Sequence, residues 1–84
     1  MSHVPHELHE EFPEAADALH NLKTSDAHFA RLAEEYHTIN RQVHRIETDV
    51  EPASDEVLED LKKKRLHLKD QIAAMLAAAA DTAS

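Results

Sequence analysis

Apolar residues recur at helical spacing in three stretches of this chain, and two of those stretches are long enough to define a fold. Leu8, Phe12, Ala15, Leu19 and Leu22 follow one another at steps of four, three, four and three. Residues three and four apart share one helical face, so this rhythm predicts a short amphipathic helix over residues 12–23. Pro13 suits its first turn, where a missing N–H has no partner to lose, and Glu14 complements the dipole there. Residues 1–7 read as a disordered lead.

A second row comprises Phe29, Leu32, Tyr36, Ile39, Val43, Ile46 and Val50, an unbroken heptad seam. Thr24-Ser25-Asp26 supplies three candidate N-caps in succession, so the predicted helix spans 26–49. Pro52 ends it, because proline disfavours helical geometry in the preceding residue. Ser54-Asp55-Glu56 then restarts the chain as an N-cap followed by first-turn acids, for a third helix over 54–80 and a frayed tail over 81–84.

The seam of the third helix is Leu58, Leu61, Arg65, Leu68, Ile72, Met75 and Ala79. Pairing it with the second seam in reverse order sets Val50 against Leu58, Ile46 against Leu61, Val43 against Arg65, and Ile39 against Leu68. Tyr36 then meets Ile72, Leu32 meets Met75, and Phe29 meets Ala79. The two position numbers in each pair add to the same value within one unit. That constancy is the signature of two antiparallel helices in register. The expected fold is therefore all-α: an antiparallel two-helix hairpin, or coiled coil, with its turn near Glu51-Pro52-Ala53, preceded by a short N-terminal helix.

Arg65 is the polar intrusion in this seam. One reading has its stem cover the seam while its head reaches solvent or Glu47. The other has it fix register or oligomeric state, as single polar seam residues do in coiled coils. Leu66, Ala73, Leu76 and Ala80 form a second apolar strip off the main seam. A helix apolar on several sides is normally buried on more than one of them. Together with Leu8, Phe12, Leu19 and Leu22, Leu66 and Leu76 are thus candidates for an interaction surface, covered by the first helix or by a second chain.

Composition narrows the functions open to such a chain. Its 84 residues make one small domain, and cores of that size are marginal without a staple. There is no cysteine, which excludes disulfides and thiolate metal sites and leaves oligomerisation, with a homo-oligomer expected, or a non-thiolate ligand. There is also no glycine, and phosphate-cradling loops and nucleophile elbows need it. The net charge of −8 disfavours nucleic acid and anionic membranes as main partners. No apolar run approaches the ~20 residues of a membrane span, and no signal-peptide pattern opens the chain, so a cytoplasmic protein is expected.

The eight histidines are the one unusual chemical feature. His3, His6 and His9 are spaced three apart, and Glu34 with His37 forms a Glu-x-x-His pair, half of a di-iron bundle motif. These are candidate metal ligands, although no full ligand set is present and no cofactor is expected. Protonating all eight would cancel the net charge, so association should strengthen near pH ~6. Lys62-Lys63-Lys64-Arg65 is the basic cluster; it reads as a solvated helix face, with an RNA or ribosome contact as the sharper alternative. No nucleophile has a base placed by a recognisable motif, so a non-enzymatic module for self-association and protein–protein interaction is expected.

The stretches His9-Glu10-Glu11-Phe12-Pro13-Glu14 and Asp26-x-x-Phe29-x-x-Leu32-x-x-Glu35-Tyr36 resemble the YdcH-like family of small bacterial coiled-coil proteins. The most specific likeness is Leu61-Lys62-Lys63-Lys64-Arg65-Leu66-His67-Leu68-Lys69-Asp70-Gln71-Ile72. The resemblance covers most of residues 8–76. It implies the coiled-coil fold and a defined role for Arg65, and it brings no catalytic or cofactor residues.

Overall fold

A computed structural model describes the backbone of residues 6–48 and 52–83, with side chains through residue 79. The described residues are almost entirely helical. Helix α1 spans Leu8–Glu11, a 3₁₀ turn spans Pro13–Ala15, and helices α2 (Ala16–Ser25), α3 (Ala27–Glu47) and α4 (Asp55–Ala83) follow. The α4 helix is about 43 Å long at 1.5 Å per residue and sets the long dimension of the molecule, 46 × 27 × 19 Å.

The first apolar stretch does not form the single helix expected over 12–23. Phe12 leaves helical geometry at φ −131°, ψ 63°, because a residue preceding proline is pushed out of the α region. The chain therefore makes one turn of α1, a 3₁₀ turn opened by Pro13, and then α2. Of the three candidate caps, only Asp26 caps α3, its Oδ1 accepting from the Phe29 amide at 3.1 Å. Thr24 and Ser25 stay in α2, where their hydroxyls donate to the Asn21 carbonyl at 2.9 and 2.7 Å.

Thr48 closes α3, and its hydroxyl donates back to the His44 carbonyl at 2.9 Å. Beyond the connection, Ser54 Oγ accepts from the Val57 amide at 3.2 Å and so opens α4 in the manner expected. The expected frayed tail is instead helical through Ala83. Residues 1–5, Val50 and Glu51 of the predicted seam and turn, and Ser84 lie outside the described residues.

The core lies where α1, α2, α3 and α4 meet. Leu8, Leu19, Phe29, Leu32, Ala33, Tyr36, Leu68, Ile72 and Leu76 form one buried cluster. The half-buried Phe12, Leu22, Ile39 and Met75 pack against it. Val43 is fully buried beyond it, while the seam residues Ile46, Leu58 and Leu61 are only half-buried. At that end the N-terminal segment no longer covers the α3–α4 pair.

Loss of the Asp26 cap should cost about 1 kcal/mol, the usual effect of removing an N-cap oxygen. Asp26→Ala is expected to lower the urea midpoint by that free energy divided by m, with m itself unchanged.

Candidate functional site

The long-range side-chain contacts between polar groups gather in two places: a strap formed by residues 6–11 and a polar layer between α3 and α4. Tyr36, buried to 0% exposure, extends through the core and donates its hydroxyl to the His6 carbonyl at 2.6 Å. His6 has φ 63°, a left-handed conformation that costs a non-glycine residue about 1–2 kcal/mol, and the Tyr36 bond holds its carbonyl. One residue on, Glu7 Oε2 lies 2.7 Å from His37 Nδ1. Glu11 Oε1 accepts from Lys69 Nζ at 3.1 Å and lies 3.3 Å from His6 Nδ1. Residues 6 and 7, expected to be disordered, are thus tied to α3, and α1 is tied to α4.

These contacts set two acidities. Burial, aided by the Glu11 and Glu7 carboxylates and opposed by the Arg65 cation, pushes the Tyr36 phenol from its usual 10.0 up to about 12. Burial also works against ionisation of Glu11. Hydrogen bonds from Lys69 and His6, together with their charges, outweigh it and leave this carboxyl below its usual 4.5.

The polar layer is built on Asn40, which is 1% exposed. Arg65 reaches across to α3, where its Nη1 donates to Asn40 Oδ1 at 2.9 Å. Glu47 instead takes Lys62, with Nζ 3.3 Å from Oε2. Asn40 is polar, so apolar periodicity alone does not mark it. Its position four residues after Tyr36 and three before Val43 nevertheless puts it on the buried stripe.

The remaining candidates are dispersed. His3 lies outside the described residues. His6 and His37 each face a carboxylate of the strap, whereas His9 and Glu34 are exposed, so the Glu34–His37 pair is not brought together as a ligand set. Among the described residues no group of three metal-capable side chains converges. The basic cluster also splits: Arg65 turns inward, Lys62 pairs with Glu47, and Lys63 and Lys64 remain exposed.

Most of the expected interaction surface is internal. Leu8, Leu19 and Leu76 are buried, and Phe12 and Leu22 are half-buried against them, because α1 and α2 fold back over α3 and α4. Leu66 alone of that set stays exposed, at 58%.

A groove of about 410 Å³ runs along α3 and α4, floored by Leu32, Ile39 and Leu68. Glu35 stands on its α3 bank, and Lys63, Lys64 and His67 stand on its α4 bank. At 100° per residue, Lys64 and Lys69 lie about 140° apart around α4. Lys69 meets α1, so the groove occupies the flank that the N-terminal segment leaves uncovered.

The described residues thus form a small all-helical unit with a polar layer and an open apolar groove. The family described as "Protein of unknown function (DUF465)" matches residues 29–76, more than half of the chain, and the chain belongs to that family. The match takes in α3 from Phe29 and α4 to Leu76, including the stretch around Arg65 on which the YdcH-like resemblance chiefly rested. The likeness at residues 9–14 lies outside it. No curated protein and no solved structure matches the chain. Among the described residues no helix is long and apolar enough to cross a membrane.

Two outcomes follow from this geometry. Arg65→Ala strips a donor from buried Asn40 and should cost about 1–3 kcal/mol. The double change Asn40→Leu with Arg65→Met should recover most of that loss, since apolar residues of similar volume often replace a buried polar pair without penalty; a thermal-melt double-mutant cycle measures this. The second outcome concerns Tyr36, the single tyrosine in a chain without tryptophan. Its phenolate absorbance should emerge near pH 12 rather than 10. The folded state holds this proton more tightly than the unfolded chain does. Its stabilising contribution is therefore complete below about pH 10 and is lost as pH rises towards 12. Urea midpoints of Tyr36→Phe should lack this component of the alkaline decline.

Proposed function

We propose that this protein is a non-enzymatic helical module, in which α3 and α4 form an antiparallel coiled-coil hairpin that self-associates and offers a face to a protein partner. The observation that carries this reading is the uncovered α3–α4 flank. Leu32, Ile39 and Leu68 floor an open groove there, and Val57 is 47% exposed on α4. A short chain gains by covering such a surface, because a single small core supplies little stability. Apolar patches left open on a small domain commonly mark interaction sites. The antiparallel arrangement is supported by two cross-helix pairs, Lys62 with Glu47 and Arg65 with Asn40, in which the later residue of α4 meets the earlier residue of α3.

The self-association also has an electrostatic signature. With a net charge of −8, copies repel one another near neutral pH, and protonation of the eight histidines reduces that repulsion. Sedimentation equilibrium should show a dimer or larger species, with association tightening between about pH 8 and about pH 6. A monodisperse monomer at every loading concentration would remove the self-association reading.

A further inference from the structure

The heptad rhythm does not stop at the break between α2 and α3. From Leu19 through Leu22, Asp26, Phe29 and Ala33 to Tyr36 the steps are three, four, three, four and three. All six residues are buried or half-buried, and an uninterrupted helix would keep them on one face. A single residue, Asp26, separates α2 from α3, at φ −128° and ψ 108°. Its amide donates to the Leu22 carbonyl at 2.9 Å, and its carbonyl accepts from the Ala30 amide at 3.0 Å. Both are bonds that a continuous helix makes, each to the carbonyl four residues back. The break is held by the Asp26 side chain, whose Oδ1 takes the Phe29 amide that a continuous helix would give to the Ser25 carbonyl. Turning Asp26 to helical dihedrals merges α2 and α3 into one helix of about 48 Å.

We propose that this chain self-associates by exchange: in each of two copies Asp26 turns helical, and residues 6–25 leave their own α3–α4 pair for that of the other copy. This rests on the self-association reading above and specifies the segment that performs it. The surface to be covered needs no new complementarity, since it is the one that α1 and α2 already cover in the closed chain. Each tether of the strap is remade between copies: the Tyr36 hydroxyl with the His6 carbonyl, His37 with Glu7, and Lys69 with Glu11. A twofold axis at the hinge sets the two merged helices antiparallel. A residue before Asp26 then lies level with the residue equally far after it in the other copy. Leu19 comes level with Ala33 in this way, and the two already share one buried cluster in the closed chain. Such an isologous interface closes at two copies, and exchange of an identical element is a low-cost route to it. At the axis each Asp26 lies level with its symmetry mate. The two carboxylates repel there and both caps are lost, so the residue that makes the hinge also limits the exchange.

Two substitutions at the hinge move the equilibrium in opposite directions. Ala27→Pro suits the closed chain, because residue 27 opens α3 and proline there keeps the preceding residue extended, as Asp26 already is. Inside a merged helix the same proline removes a hydrogen bond and clashes with the turn before it. Sedimentation equilibrium of Ala27→Pro is expected to show a dimer dissociation constant raised by about a hundredfold or more. Asp26→Leu removes the cap and the facing charges and extends the apolar stripe, and should lower that constant by about tenfold or more. A melt of each variant establishes that it is folded. The exchange itself is read on the unaltered chain, with isotopically heavy and light copies mixed, refolded together and treated with a carbodiimide. The reagent joins the Glu11 carboxylate to the Lys69 amine as an amide, with loss of water. In the dimer fraction, peptides joining these two residues should include pairs of mixed label. Like-labelled pairs alone, or an Ala27→Pro chain that associates as the parent does, would overturn the exchange and leave self-association standing. A parent chain that is monomeric at every concentration would overturn both.

Discussion

Tyr36 joins the three parts of this molecule. Its ring is fully buried on α3, in the same cluster as Ile72 of α4 and Leu8 of α1. Its hydroxyl leaves the core on the far side and holds the His6 carbonyl at 2.6 Å. A buried phenol needs a partner, because an unsatisfied polar group in an apolar setting costs about 1–3 kcal/mol. Here that requirement is met by the main chain of the N-terminal segment. The same bond that satisfies the ring therefore anchors the strap, and the Glu7 and Glu11 pairs with His37 and Lys69 follow from the strap's position.

The strap explains why the chain has two unlike flanks. Where α1 and α2 fold over α3 and α4, leucines that look like a sticky surface in one dimension become core. On the opposite flank Leu32, Ile39 and Leu68 floor an open groove. The Asn40–Arg65 pair lies between these regimes. A buried hydrogen-bonded polar pair adds little net stability against an apolar replacement. Arg65 meets α3 through this pair, donating to Asn40 at 2.9 Å.

Element existence was legible in the chain. Seven seam residues in phase between Phe29 and Val50, the cap signals at Asp26 and Ser54, and the wealth of good helix formers all point to helix through local preference. The break at Phe12 was written in the chain as well, in the proline that follows it, although the longer apolar rhythm obscured it. Asn40 was less legible, because an apolar-periodicity reading skips any polar residue even when it lies on the buried face. The partner of Arg65 was illegible for a similar reason: Asn40, Val43 and Glu47 all lie within reach of a long side chain, and only packing selects among them.

Local chemistry by itself determined the helical class and where α3 and α4 begin, since caps, propensities and prolines act within a few residues. Tertiary structure decided which apolar residues are core and which are surface. Leu76 is buried at 7% exposure and Leu66 is open at 58%, although both lie on the same strip of α4. The difference is the N-terminal segment, brought from more than forty positions away by Tyr36 and Lys69 to cover one and not the other.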